Sequence, residues 1–317
     1  MPDKQVSIQK SWKSTERSPR PTMLAIAGDS AAGKTTLTKG LVEALGSDRI
    51  TSVCVDDYHK FDRQERKNLP FTPLNPECNY MEIMEQHLQL LALGQPILKP
   101  VYNHVNGTLD RPVLVEPKEF VIIEGLLPLS TKLSRACFDV SVYLDPPEPI
   151  RYAWKVKRDT SKRGYTKEQV MADLERREPE SAAFIRVQRK FADMVVRFSP
   201  IEGRDDVENE PLSATLLLRP TIPHPDLTSV LSDNTREALH IKLARDDDAK
   251  PVDALHIHGY ANRELTRKVE EAVWDSLRVK EPIPESLGLI DGISRSEPLA
   301  LTQLIILYHM LLARHEI

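Results

Sequence analysis

Nine residues constrain this chain more than any others: Gly28-Asp29-Ser30-Ala31-Ala32-Gly33-Lys34-Thr35-Thr36 fills the pattern G-x-x-x-x-G-K-[S/T]. An apolar run, Met23 to Ala27, precedes it and is long enough for a buried parallel strand, while Thr35 to Leu45 carries apolar residues at helical spacing. Strand, loop and helix in that order make a phosphate cradle. The glycines let backbone N–H groups converge on phosphate oxygens, and the helix N-terminus adds partial positive charge. The spacing places Lys34 within reach of the β- and γ-phosphates of a nucleotide and gives Thr35 the hydroxyl that helps hold Mg²⁺.

Strand-like and helical runs alternate through the next 170 or so residues, roughly the length of one domain. Ile50 to Val55 reads as a second strand, Met81 to Leu93 as a helix stopping at Gly94, Glu119 to Gly125 as a buried strand, and Asp139 to Asp145 as another. Lys99 to Gly107 is extended and closes on Asn106-Gly107, so two short strands around that turn predict a hairpin. Pro146 to Pro149 marks the entry to a helix near Ile150, and Ala192 to Phe198 completes the unit as its last strand. Such alternation predicts an α/β fold with a mostly parallel, doubly wound sheet. Beyond residue 199 the pattern changes. A charged linker, Glu202 to Glu210, leads to strand-like runs at 214–219, 239–243 and 254–258, then to helices at 262–279 and 299–314. The expected organisation is a disordered tail over 1–21, a P-loop kinase core over 22–199, and a smaller C-terminal α+β extension over 200–317 packed on the core.

Phosphoryl transfer needs a cradle, a metal, a group that positions or deprotonates the acceptor, and cations that take up developing charge. The strand ending in Asp56-Asp57-Tyr58-His59 places two carboxylates at the edge of a parallel sheet where ligands bind. Glu124 and Asp145 are further strand-end acids, and spacing alone does not assign base and metal ligand among the four. The segment from Lys60 to Cys78 has the charge and proline content of a functional loop and includes Arg63, Arg66 and Lys67. Arg151, Lys155 and Arg158 fall on one helical face, and Lys162-Arg163-Gly164 follows, as in a closing lid. The same run reads equally well as a solvated helix whose lysines and arginines pair with Asp159 and nearby acids.

Charge is uneven along the chain. Between Arg151 and Arg197 there are 13 basic and 7 acidic residues, net +6, against −10 for the remainder of a chain whose net charge is −4. That balance argues against nucleic acid as the main partner and suits a local basic patch facing an anionic ligand. Three cysteines, Cys54, Cys78 and Cys137, make no disulfide framework and no Cys-x-x-Cys pair, which fits a reducing cytoplasm. The first 21 residues lack the apolar segment of a secretory signal. Leu299 to Leu312 is too short for a bilayer span and reads as a buried amphipathic terminal helix, so no membrane role is expected.

Taken together, these segments resemble the phosphoribulokinase and uridine kinase family. Gly28 to Thr36 is similar to its P-loop, Asp56-Asp57-Tyr58-His59-Lys60-Phe61-Asp62-Arg63 to its DDYH-x-x-DR motif, and Lys99-Pro100-Val101-Tyr102-Asn103-His104 to its KPxYNH segment. Glu124-Gly125-Leu126, Trp154 to Asp159 and Arg163-Gly164-Tyr165 complete the series, from about residue 23 to 199. The tail, including 239–274 and 301–312, resembles the extension of the plant and cyanobacterial branch. The resemblance implies transfer of the γ-phosphoryl group of ATP to the 1-hydroxyl of ribulose 5-phosphate, giving the carbon dioxide acceptor of the Calvin cycle. It makes Asp56 the catalytic base, with Lys34, Lys155 and Arg158 as the cations of the transfer, and gives Mg²⁺ to Thr35 and Glu124. It gives the nucleotide to Gly28 through Thr36 and Arg163, and the sugar phosphate to His59, Arg63 and Lys67, with Tyr102 and His104 lining the pocket. It also favours a homodimer, and leaves open whether an inhibitory protein partner binds.

One position departs from that branch. Its plant members carry a P-loop cysteine that pairs with the cysteine just before the DDYH segment, which lets thioredoxin switch them. Here Ala32 stands at that position and Cys54 has no partner, so the resemblance implies that the switch is absent. Two other readings remain: a nucleoside kinase of the uridine kinase type, which needs no second phosphate clamp, and a P-loop switch that binds nucleotide without phosphorylating a metabolite.

Overall fold

The computed structural model describes residues 20–201, 211–228, 230–231, 238–279, 281–290 and 294–316. The proposed tail up to residue 19 and the linker 202–210 lie outside them. The first strand, β1 (Thr22–Gly28), is buried along its whole length and leads through the P-loop into α1 (Lys34–Leu45). It lies between two parallel neighbours, which accounts for its continuous apolar character. Then come β2 (Ile50–Cys54), α2 (Met81–Ala92), the hairpin β3 (Ile97–Tyr102) and β4 (Leu109–Val115), β5 (Phe120–Gly125), a short α3 (Lys132–Arg135) and β6 (Val140–Leu144). Two charged helices, α4 (Glu148–Arg163) and α5 (Lys167–Glu180), precede β7 (Met194–Ser199). The remainder supplies β8 (Ser213–Leu218), β9 (Leu239–Arg245), β10 (Pro251–Ile257), α6 (Arg263–Leu277) and α7 (Glu297–Glu316).

Eight strands form one sheet in the order β2-β5-β1-β6-β7-β8-β10-β9. The first five are parallel, as alternation with helices requires, and the last three are joined antiparallel from β7 outward. The hydrogen-bonded sheet therefore continues through position 199: Ser199 pairs with Ser213 and Met194 with Leu218. The expected hairpin forms as a separate two-stranded sheet, with Gly107 at φ 82° where the turn needs a left-handed residue.

One face of the sheet is covered by α1, α6 and α7, whose apolar residues share a core with β1, β6 and β8. The other carries α2, with Met84, Leu88 and Leu91 against Val53, Val121 and Ile123. The terminal helix is not amphipathic. Every residue from Leu299 to Leu312 is buried, because α7 lies against α1, β1, β6, β8 and α6 together, and a helix covered on all sides has no polar stripe to show. Its polar residues are bonded inside: Thr302 to the carbonyl of Pro298 (2.7 Å), Gln303 Oε1 to the Gly288 amide (2.7 Å), and His309 to His224 (3.0 Å). The Gln303 amide also lies over Gly40 in α1, where a Cβ would come within 1.9 Å of Nε2. Glycine at position 40 is what lets α7 sit directly on the P-loop helix.

Candidate active site

The P-loop has the backbone its sequence calls for. Gly33 sits at φ 95° and Ala31 at φ 65°, which turns successive amides toward one side ahead of α1. At Gly28 (φ 153°) a Cβ would press on the Leu144 carbonyl at 2.9 Å, so the loop and β6 need that residue to be glycine. Lys34 Nζ donates to the carbonyls of Gly28 and Asp29, 2.8 Å each, which poises it across the loop. Ser30 reaches the cleft. Ala32 packs its methyl into the core, so only its backbone faces the loop, and Thr35 and Thr36 are exposed at the start of α1. The carboxylate of Asp29 turns inward: it accepts from the Ser30 amide (2.6 Å) and the Ser181 hydroxyl, and lies 3.3 Å from Arg151 Nη1. Arg151 is therefore a buried structural partner of the P-loop rather than a lid cation.

Four strand-end acids lie at the same edge of the sheet, and their partners separate them. Asp57 accepts from the Tyr102 amide (3.0 Å) and Lys99 Nζ, which fastens the hairpin. Asp145 is held by Arg189 (3.0 Å) and Arg197 (2.7 Å). Asp56 faces the cleft, and its buried Oδ1 has no hydrogen-bond partner among the described residues. A single 3₁₀ turn, Val55 to Tyr58, sends the two neighbouring aspartates in different directions. Glu124 ends β5 and accepts from the Thr38 hydroxyl at 3.3 Å. Burial raises its pKa, Lys34 opposes that shift, and Asp56 adds to it. A half-buried carboxylate beside a threonine hydroxyl is a hard-oxygen donor set that suits Mg²⁺. Thr35 and Glu124 fit the expected metal-holding role, and Thr38 is a neighbour the sequence did not single out.

The cleft beside them, about 480 Å³, is lined by eight lysines and arginines against the carboxylates of Asp56, Asp159 and Asp173. Lys155, Arg158, Arg163, Arg63 and Lys67, all singled out from the sequence, are among them, together with Tyr102, His59 and His104. Three cations of α4 converge on Asp159: Lys155 Nζ at 2.8 Å, Arg158 Nε at 2.8 Å and Arg163 Nη1 at 3.4 Å. Burial works against the charge on Asp159, yet the hydrogen bonds from Arg158 and Lys155 hold its pKa down to about 2. The ion-paired reading of this helix is the one seen, and the pairing organises these cations on the cleft wall. Arg158 Nη2 also reaches the Ser30 hydroxyl at 3.4 Å, which spans the cleft from α4 to the P-loop.

Two expectations for the acceptor side change. Arg63 lines the cleft, but its guanidinium is engaged by the carbonyls of His104 (2.7 Å) and Val105 (3.3 Å), so it braces the hairpin loop. Its neighbour Arg66 stacks on the Tyr102 ring at 4.6 Å and donates to the Tyr102 hydroxyl, leaving a buried Nη1 unpaired. His59 is buried, with Nδ1 2.7 Å from the Asn79 carboxamide oxygen. The Asn79 NH₂ donates to the carbonyls of Pro73 (3.1 Å) and Asn75 (2.8 Å), so its oxygen must accept. His59 then carries its proton on Nδ1 and keeps a lone pair on Nε2. Burial lowers its pKa to about 4 against the attraction of Asp56, and burial lowers that of His104 as well. Neither histidine is a cation at neutral pH. From α5 come Arg176, Arg177, Asp173 and Gln169, with Tyr165 just before it. The sequence reading missed the four on α5, because a charged helix looks like a solvated one, whereas Tyr165 belongs to the Arg163-Gly164-Tyr165 segment it quoted.

The match to known proteins agrees with this geometry. Residues 23–203 match the model of the phosphoribulokinase/uridine kinase family. The chain belongs to that family. Among its members, the phosphoribulokinase of Synechocystis sp. is 39% identical over 198 residues, 62% of this chain and 60% of that protein. The chloroplastic phosphoribulokinase of Triticum aestivum is 34% identical over 63% of this chain and 54% of its own length. A uridine kinase of Klebsiella pneumoniae is 32% identical over 64% of this chain and 97% of its length. The chain thus spans between half and two thirds of these phosphoribulokinases. The fold is also that of a phosphoribulokinase from Rhodobacter spheroides, with a TM-score of 0.59 over 82% of this chain and 98% of that one, at 16% identity.

Proposed function

We propose that this family member is an ATP-dependent kinase that phosphorylates the 1-hydroxyl of ribulose 5-phosphate to give ribulose 1,5-bisphosphate. The observation that carries the reading is the cleft: Ser30 of the P-loop and an Asp56 carboxylate whose buried Oδ1 has no partner among the described residues share it with eight lysines and arginines, more than the phosphates of one nucleotide require. In this reading the backbone from Gly28 to Thr36 and Lys34 hold the ATP phosphates, with Arg163 closing over them. Asp56 takes the proton of the attacking hydroxyl, and Lys34, Lys155 and Arg158 stabilise charge on the transferred group. Arg66 and Lys67 receive the acceptor's phosphate, Arg63 braces their loop, and Tyr102, His104 and His59 shape the sugar pocket. Thr35 and Glu124 would hold Mg²⁺, which when bound supplies charge neutralisation between the phosphates.

A nucleoside kinase is the second reading, favoured by the match over 97% of a uridine kinase. Release of ADP with ribulose 5-phosphate and with uridine, assayed side by side with ATP and Mg²⁺, separates the two. We expect turnover with the sugar phosphate, and faster turnover with uridine would overturn the proposal. We further infer a cytoplasmic homodimer. Three free cysteines suit a reducing compartment. The outermost strand, β9, leaves Leu243 80% exposed at the side of the sheet where a second copy could add. Sedimentation reads the dimer directly, and a monomer at micromolar concentration would remove it.

A further inference from the structure

A series of hydrogen bonds, joined through the backbone at Glu180–Ser181 and at Asn75, runs from the P-loop to His59 through the end of α5. At one end the Asp29 carboxylate accepts the Ser181 hydroxyl. Next to Ser181, Glu180 accepts from the Thr72 amide (2.9 Å), the Thr72 hydroxyl and Asn75 Nδ2 (3.1 Å). The Asn75 carbonyl accepts from Asn79 Nδ2 at 2.8 Å, and Asn79 Oδ1 receives His59 Nδ1 at 2.7 Å. Ser181, Thr72, Asn79, His59 and Asp29 are all buried, so these bonds form where unpaired polar groups are most costly. The backbone is irregular at the junction: Pro179 lies inside the last turn of α5, and a π-helical turn, Ser181–Ile185, follows. Such turns are rare and tend to occur at functional sites.

Two adjacent residues make this connection, Glu180 at the end of α5 and Ser181 at the start of the π-helical turn. One touches the loop that cradles phosphate, and the other touches the 72–79 loop that fixes the histidine of the acceptor side. We propose that Glu180 and Ser181 are positioning residues that link the two substrate sites, so that the placement of α5 sets Asp29 on one side and the Nε2 hydrogen-bond acceptor of His59 on the other. His59 would then accept from a hydroxyl of the phosphoryl acceptor. The inference rests on the reading of the cleft as two substrate sites and holds for either acceptor. A purely structural role would stabilise both loops equally whether or not nucleotide is bound, whereas a link transmits occupancy.

Hydrogen exchange of the full chain with and without a non-hydrolysable ATP analogue and Mg²⁺, in the absence of acceptor, tests this. In the unaltered protein the analogue should slow exchange at the 72–79 amides about five-fold, the lower end of ordinary coupling between sites. Ser181→Ala and Glu180→Gln should lose that slowing while keeping it at the 28–36 amides, and Glu180→Asp should recover part of it. In turnover assays Glu180→Gln should raise the KM for the acceptor and leave that for ATP unchanged. If Glu180→Gln does not fold, Thr72→Val carries the same measurement, because it removes the hydroxyl donor and keeps the shape. No slowing at 72–79 in the unaltered chain, or slowing that survives in the variants, overturns the link. Turnover of ribulose 5-phosphate is read separately: its absence removes the substrate assignment, while the exchange data alone decide the link.

Discussion

At the strand-end edge of the parallel half of the sheet, the cleft holds two buried polar atoms without partners among the described residues, whereas along the antiparallel half the charges of Asp246, Arg219 and Arg189 close on one another. Asp56 Oδ1 and, beside it in the cleft, Arg66 Nη1 are buried and unpaired. In the antiparallel half, Asp246 lies between Arg219 (Nε, 3.0 Å) and Arg189, and Arg219 also donates to the carbonyls of Arg189 (2.8 Å) and Ala192 (2.7 Å). The boundary falls at Asp145, a strand-end acid of the parallel half taken up by Arg189 and Arg197. Leaving a buried donor or acceptor unpaired costs about 1–3 kcal/mol. Buried atoms without a hydrogen-bond partner also occur in α6 and α7, at Glu270 Oε2, Gln303 Nε2 and Arg314 Nε, but Asp56 and Arg66 are the two that line the cleft, where stability is given up in groups that face a ligand-sized space.

The largest effect should come from the unpaired side. Asp56→Asn keeps the shape and removes the proton acceptor, so kcat should fall by about 10²- to 10⁴-fold, the usual contribution of a positioned base. Affinity for an ATP analogue should stay close to that of the unaltered protein, since Asp56 is not part of the cradle. Turnover that survives would mean that Asp56 is not the base. Loss of nucleotide binding would mean that the two sides of the cleft are not separable.

How far the sequence reveals this division depends on the element. The P-loop and the parallel strands are legible because their backbone geometry demands glycines at fixed spacing and continuous apolar runs. The acids at the strand ends are legible as a group but not individually: Asp56 and Asp57 are adjacent, and only the 3₁₀ turn beneath them separates a cleft-facing carboxylate from one fastened to Lys99. Arg63 and Arg66 differ in the same way, since the first meets the carbonyls of a loop some forty residues away and the second stacks on Tyr102. The cations of α5 and the full burial of α7 are set by what packs against them, which periodicity does not encode. The join of β8 to β7 is likewise a long-range pairing across a break in pattern.

The paired side predicts a loss of stability rather than of chemistry. Removing one member of a buried ion pair costs about 3–5 kcal/mol, because its partners remain buried and charged. Asp246→Asn, measured by urea unfolding, should lose an amount of that order while the folded protein keeps its kcat. The pH dependence supplies the sign. Burial opposes ionisation of Asp246, yet the hydrogen bonds from Arg219 and Arg189 hold its pKa down to about 2, below the value of roughly 3.9 in an unfolded chain. Its contribution is therefore complete above about pH 4 and is lost as pH falls toward 2. Asp159, also held down to about 2, should leave a residual slope in the variant. A fall in kcat larger than the fall in folded protein would show that this half takes part in the chemistry.

The smallest expected effect concerns thiols, which belong to neither pattern. Cys54 ends β2 in register with Glu124, and burial, with Asp56 and Glu124 nearby, pushes its thiol well above the ordinary range. Little of it is thiolate at neutral pH, and exchange with another disulfide proceeds through the thiolate. All three cysteines are free, and the P-loop position that carries the partner cysteine in the plant branch is Ala32, its methyl buried in the core. Dithiothreitol should therefore leave kcat and KM unchanged after mild oxidation. Strong reductive activation, traced by mass spectrometry to a bond at Cys54, would mean that a distant cysteine can reach the cleft. It would also mean that the loops on either side of β2 move far more than their hydrogen bonds imply.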